Sequence, residues 1–77
     1  MTFFWSTHSL QRIKDRNLSR SLISGVISKP DHVNVLGDFQ YEAYKKFGRK
    51  YLKVVYSKRK NHYIIITVYY IDRIKLI

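Results

Sequence analysis

The hydrophobic pattern changes its period partway along the chain. Up to Pro30 the apolar residues recur at helical spacing; from Asp31 they alternate or run continuously, as strands do. The densest stretch runs from Arg49 to Tyr70. It reads RKYLKVVY, then SKRKN, then HYIIITVYY, two β-branched and aromatic runs around a polar turn. This predicts a hairpin whose loop, Lys58 to Asn61, has about four residues. Pairing Ser57 with His62 sets Tyr56 opposite Tyr63, Val54 opposite Ile65 and Leu52 opposite Thr67. The other face pairs Val55 with Ile64, Lys53 with Ile66 and Tyr51 with Val68. Both faces are largely apolar, so the hairpin is expected inside a sheet with at least one face covered.

Met1 to Trp5 is apolar and is expected as an added edge strand or an arm on the core. Ser6 or Thr7 then suits a helix N-cap, with Trp5 as half of a hydrophobic staple. His8 to Arg16 has helical periodicity, and Asn17 suits the left-handed residue that ends a helix. Ser19 can cap a second helix with an apolar stripe of Leu22, Ile23, Val26 and Ile27, stopped by Pro30. Beyond it, His32 to Leu36 reads as a strand and Gly37-Asp38 as a turn. Phe39 to Phe47 is the next strand, with Phe39, Tyr41 and Ala43 on one face, and Gly48-Arg49 is the turn into the hairpin. The expected fold class is α+β, a single domain over residues 1–77. Two N-terminal helices pack on a four-stranded antiparallel sheet in sequence order. The tail Ile71 to Ile77 fits either a helical turn or a strand extension.

Charge changes this picture most. Fifteen Lys and Arg against five Asp and Glu give a net charge of +10 over 77 residues. Eight of the fifteen lie between Lys45 and Lys60, interleaved with Tyr44, Phe47, Tyr51 and Tyr56. Such a surface attracts phosphate backbones and offers rings for bases to stack on, or docks an acidic protein. Lys45, Lys46, Arg49, Lys50 and Lys53 are the expected RNA-binding set. There is no cysteine, which excludes a disulfide framework and a thiolate metal site. The apolar run Tyr63 to Ile71 is far short of the roughly 20 residues of a membrane helix. No signal peptide is visible, so a cytoplasmic protein with no membrane association is expected.

For chemistry, His8, Arg12 and Arg16 form an i, i+4, i+8 row about 12 Å long on one helix side. A histidine titrating near neutrality beside two guanidinium groups suits phosphodiester handling; the same row also suits a plain solvated face. In the register above, Thr67 and Tyr69 share a face with Tyr63 and Ile65, where their hydroxyls orient a phosphate or serve as ordinary core groups. Lys53, among apolar neighbours, must snorkel out or be covered by charge. His32 and His62 begin strands and read as surface residues. Glu42 is the sole glutamate, which argues against a paired-carboxylate hydrolase. No metal set, cofactor, Gly-rich phosphate loop or nucleophile elbow is expected.

Several strings resemble a known family. Thr7 to Ser19 (THSLQRIKDRNLS) is similar to the opening of the small proteins called domain of unknown function 4258, whose pattern is H-a-x-x-R-x-x-x-R-g-i-s. The likeness continues through Lys29 to Asp31 (KPD), Tyr44 to Tyr56 (YKKFGRKYLKVVY) and Ile64 to Tyr69 (IIITVY). That family resembles the RelE/ParE superfamily and the wider barnase-like and colicin-like ribonucleases. The resemblance implies two helices on an antiparallel sheet of about four strands. It also implies a toxin–antitoxin setting with a small acidic antitoxin-like partner, and a homodimer is compatible with it. By position it assigns catalytic roles to His8, Arg12, Arg16, Thr67 and Tyr69. Asn17 stands where the family commonly has Gly, a difference that a left-handed cap tolerates.

The expected function is therefore a toxin-like, metal-independent endoribonuclease. The RNA 2′-hydroxyl attacks the neighbouring phosphorus, His8 transfers the proton, Arg12 and Arg16 stabilise the phosphoryl charge, and Thr67 and Tyr69 orient the phosphate. The alternative is a non-catalytic module that binds RNA or a protein, in the manner of ParE-like toxins.

Overall fold

The computed structural model describes residues 2–75. Its frame is one mixed sheet of five strands with two short helices. This overturns the expected four-stranded antiparallel sheet. Thr2–Trp5 forms β1, which lies parallel to the last strand, β5 (His62–Ile71), with Phe3 beside Tyr63 and Trp5 beside Ile65. The cause is apolar: Phe3 and Trp5 alternate onto one face, where Phe3 stacks 5.2 Å from Tyr63. Strands β2 (His32–Val35), β3 (Gln40–Phe47), β4 (Lys50–Arg59) and β5 form the expected antiparallel meander, so the spatial order is β1-β5-β4-β3-β2.

The central hairpin is tighter than expected. Its turn is two residues, Lys60 and Asn61, because Lys60 takes a positive φ of 55° and lets Arg59 pair with His62. Ser57 therefore faces Ile64 instead of His62, and Tyr56 faces Ile65. Between Tyr56 and Val55 the register then jumps to Thr67, which leaves Ile66 as an extra residue on β5. A bulge reverses which face the following side chains occupy. Val68 and Tyr70 consequently join Tyr63 and Ile65 on one face. Thr67 and Tyr69 fall on the other, opposite Val55 and Lys53.

The bulge is tied down from outside the hairpin. Ser6 follows β1 and donates its hydroxyl to the Ile66 carbonyl (2.9 Å), while its N–H donates to the Ile65 carbonyl (3.2 Å). The same Oγ accepts from the N–H of Ser9 (3.0 Å), capping helix α1 (Thr7–Asp15). One serine thus joins β1, α1 and the irregular point of β5. Asn17, with φ 52°, turns the chain after α1, and Ser19 caps α2 (Arg20–Ser28) through Leu22 N–H.

Both helices cover one face only. Ile23, Val26 and Ile27, flanked by Ile13, Leu18 and Leu22, pack on Ala43, Leu52, Val54, Tyr56, Ile65 and Val68. The cover stops short of β2, where Val35 is 65% exposed and Val33, Leu36 and Phe39 are also open. Ile71 closes β5, and residues 72–75 bend away from it, which answers the open question of the tail up to Lys75. The expected assignments at Met1, Leu76 and Ile77 lie outside the described residues.

Replacing Ser6 with Ala removes a cap and a bond to the bulge, whereas Ser19→Ala removes a cap alone. Urea unfolding is expected to show a loss of about 1 kcal/mol for Ser19→Ala and about 2 kcal/mol for Ser6→Ala. Equal losses would mean that the bulge does not rely on Ser6.

Candidate nucleic-acid interface

The face away from the helices carries charge where a sheet of this size would ordinarily be wet or apolar. Strand β3 turns into β4 through Gly48, whose φ of 64° serves the first position of a two-residue turn, and Phe47 then pairs with Lys50. That register sets Tyr44 opposite Lys53 and Glu42 one diagonal step away. The Lys53 ammonium meets the Glu42 carboxylate at 2.8 Å, with side chains only 8% and 11% exposed. Tyr44 donates its hydroxyl to the other Glu42 oxygen (2.9 Å), which Asn34 Nδ2 also approaches (3.3 Å). His32 Nε2 bonds the Asn34 carbonyl oxygen (2.7 Å). Lys53 also lies over the rings of Tyr44 and Tyr69, at 5.8 and 5.2 Å.

This network settles the protonation states at neutral pH. Burial alone would raise the Glu42 pKa, but bonds from Lys53, Asn34 and Tyr44 outweigh it and hold the carboxyl below its ordinary value. Burial would lower the Lys53 pKa, and bonding with Glu42 and Tyr69 reverses that, so its ammonium stays charged beyond the usual lysine range. Burial and the Glu42 acceptor both raise Tyr44. The pair is a fixed ion pair, with neither member available as a neutral base or nucleophile.

Residues 72–75 cross this face as a roof. Asn34 Nδ2 donates to the Lys75 carbonyl, and a cavity of about 460 Å³ lies beneath, lined by Lys53, Tyr69, Ile71 and the four tail residues. Among the described residues no three His, Asp or Glu side chains gather as a metal set.

The expected site residues are divided between faces. His8 and Arg12 lie on α1 and Arg16 is its C-cap, His8 and Arg16 exposed and Arg12 half-buried, flanking the inward Ser9 and Ile13. Thr67 and Tyr69 are on the opposite sheet face, a consequence of the Ile66 bulge. The structure therefore brings Tyr69 to Lys53, not to His8. Thr67 Oγ1 is buried without a hydrogen-bond partner. Lys45, Lys46, Arg49 and Lys50 gather at the β3–β4 turn, joined by Lys29, whose carbonyl accepts from Lys45 Nζ (2.9 Å). Lys53 is set apart from them in its ion pair. His62 is exposed against Phe4, at 5.8 Å between rings. The role of Glu42 escaped the sequence reading, although the Gly48-Arg49 turn already placed it diagonal to Lys53.

Among the described residues Lys53–Glu42 is the one salt bridge, so the other Lys and Arg side chains have no carboxylate partner. Arg59 instead lies over Phe39 at 4.3 Å and Arg20 over Trp5 at 5.3 Å. No helix is long and apolar enough to cross a membrane. In comparison with known proteins, the family model described as Domain of unknown function (DUF4258) matches residues 5–70. No curated protein and no solved structure matches the chain.

Glu42→Gln leaves Lys53 buried without its counter-ion and is expected to cost about 3 kcal/mol at pH 7. Because the folded Glu42 pKa is depressed, its contribution is present above its ordinary value of 4.5 and lost as pH falls through the lower folded value. Lys53 works the other way: its contribution persists below 10.5 and is lost only as pH rises through the higher folded value. Urea midpoints of wild type and Glu42→Gln should therefore converge in acid. A gap that stays constant down to pH 2 would remove the ion pair from the account.

Proposed function

Starting from a chain that belongs to the family described as Domain of unknown function (DUF4258), we propose that the protein binds RNA through its basic surface. The observation that carries this is the unpaired charge. Of fifteen cationic side chains, one has a carboxylate partner among the described residues, and five of the rest crowd the end of the sheet around the β3–β4 turn. Unneutralised cations release condensed counterions on meeting a phosphate backbone, which makes binding favourable and salt-dependent. Lys45, Lys46, Arg49 and Lys50 are the contacts to phosphate. Tyr51, half-buried beside them, is the nearest ring on which a base can stack. Single-stranded RNA is the expected form because the cations cluster around one turn at the end of the sheet.

Cleavage is the second reading, favoured by His8 and Arg16 standing exposed on one side of α1 with Arg12 between them. In it, His8 takes the proton of the attacking 2′-hydroxyl and hands it to the departing 5′-oxygen as the P–O5′ bond breaks, the arginines hold the phosphoryl oxygens, and the products end in a 2′,3′-cyclic phosphate and a 5′-hydroxyl. Thr67 and Tyr69 take no part in this form of the mechanism, since the sheet lies between them and the outer side of α1. The toxin-like character, the kinship with RelE/ParE toxins and an acidic protein partner belong to the same proposal. Support for the partner comes from the open apolar rim of β2, Val33, Val35 and Leu36, on a chain of charge +10.

Fluorescence anisotropy with a labelled single-stranded RNA in EDTA tests both readings. Wild type should bind with an affinity that falls steeply with salt. The variant Lys45→Ala/Lys46→Ala/Arg49→Ala/Lys50→Ala should lose about 0.7 in log–log salt slope for each phosphate contact removed. Fragments with cyclic-phosphate ends that vanish in His8→Ala would establish cleavage. An RNA neither bound nor cut sinks the reading.

A further inference from the structure

We propose that the cavity beneath residues 72–75 is a binding site for a single nucleotide. The inference deepens the RNA-binding reading and rests on it for the identity of the ligand as one unit of a strand. Its volume of about 460 Å³ falls within the range of small-molecule sites, roughly 300–1,000 Å³. Its lining joins two characters that a nucleotide needs together. Arg73 and Lys75 supply two positive charges against one negative charge, Asp72, while Lys53 is already paired with Glu42, so an anion is favoured. Ile71, Ile74 and Tyr69 supply apolar and aromatic wall for a flat ring. Inorganic phosphate would leave those walls unused. A base with an exocyclic amine answers Asp72, and its phosphate answers Arg73 and Lys75.

The floor of the site is rigid. Lys53 has three N–H donors; Glu42 takes one, and the ammonium lies over the Tyr69 ring at 5.2 Å, so donors remain for a ligand oxygen. Glu42 is itself fixed by Tyr44 and Asn34, and Asn34 also holds the roof through the Lys75 carbonyl. A floor whose rotamers are locked loses little freedom when a ligand arrives. The roof is clasped by backbone, so the Arg73 and Lys75 side chains, both exposed, are available to the ligand.

The test is a nuclear magnetic resonance titration of the full chain with adenosine monophosphate, beside inorganic phosphate and beside adenosine. Saturable shifts at Tyr69 and over residues 71–75, absent with phosphate alone, are expected. Arg73→Ala/Lys75→Ala should weaken the nucleotide about tenfold or more, as loss of charged hydrogen bonds does, while Lys58→Ala/Lys60→Ala, with the same change in charge, should not. If nucleotide shifts match those of phosphate, or the first variant binds like the second, the proposal is overturned, whether or not RNA is bound. If RNA affinity also falls more in the first variant than in the second, the nucleotide is one within a strand. An unchanged RNA affinity makes it a free nucleotide. Nucleotide binding by a wild-type protein that fails to bind RNA would keep the pocket and defeat the RNA reading.

Discussion

The arrangement of this molecule depends on the Ile66 bulge and the serine that holds it. A strand alternates strictly, so one inserted residue decides which side chains enter the core and which face outward for everything that follows. Here it keeps Val68 and Tyr70 with the helices and sends Thr67 and Tyr69 to the other side. Ser6 makes that choice part of the tertiary fold. Its hydroxyl accepts from the first turn of α1 and donates to the carbonyl of the inserted residue itself. The position of α1, the end of β1 and the composition of both sheet faces are thereby set at one point.

The two faces divide the labour of stability and recognition. The helix side is a conventional small core of aliphatic and aromatic groups. Among the described residues the other side is covered only by residues 72–75, and its central strands carry an ion pair beside Val55 and Tyr44. A buried pair contributes little net stability, because desolvation consumes most of the Coulomb gain. It does fix geometry: Glu42, bonded by three partners, holds Lys53 over the rings of Tyr44 and Tyr69. A face built this way is rigid and polar, which suits contact with something other than its own chain.

What was legible in the sequence was whatever local chemistry decides. Ser6, Ser19 and Asn17 are caps by their own side-chain and backbone preferences, and Gly48 marks its turn by tolerating a positive φ. The fifth strand was legible only as one of two options for Met1 to Trp5, an edge strand or an arm; its parallel pairing with β5 was not, because a pairing between Phe3 and Tyr63 leaves no signal near either residue. Nor was the bulge: in the continuous run Ile64-Ile65-Ile66 no polar residue marks which side is which, so a slip of register is invisible. That single omission moved Thr67 and Tyr69 to the wrong face and joined them to His8. The His8, Arg12 and Arg16 row rests on helical spacing, which needs no knowledge of the sheet, and the helix carries His8 and Arg12 but ends before Arg16, its C-cap.

The parallel pairing of β1 with β5 also has a consequence for how the chain acquires its structure. β1 is made before α1, α2 and three strands, yet its only neighbour in the sheet lies about sixty residues later. During synthesis Phe3, Phe4 and Trp5 must wait unpaired until β5 has been made, and the cap on α1 gains its second anchor only then. Closing so long a loop is slow compared with forming local hairpins. The β2–β5 meander can assemble from neighbouring segments, and the N-terminal strand docks last. A nascent chain is therefore most exposed to wrong partners at β1.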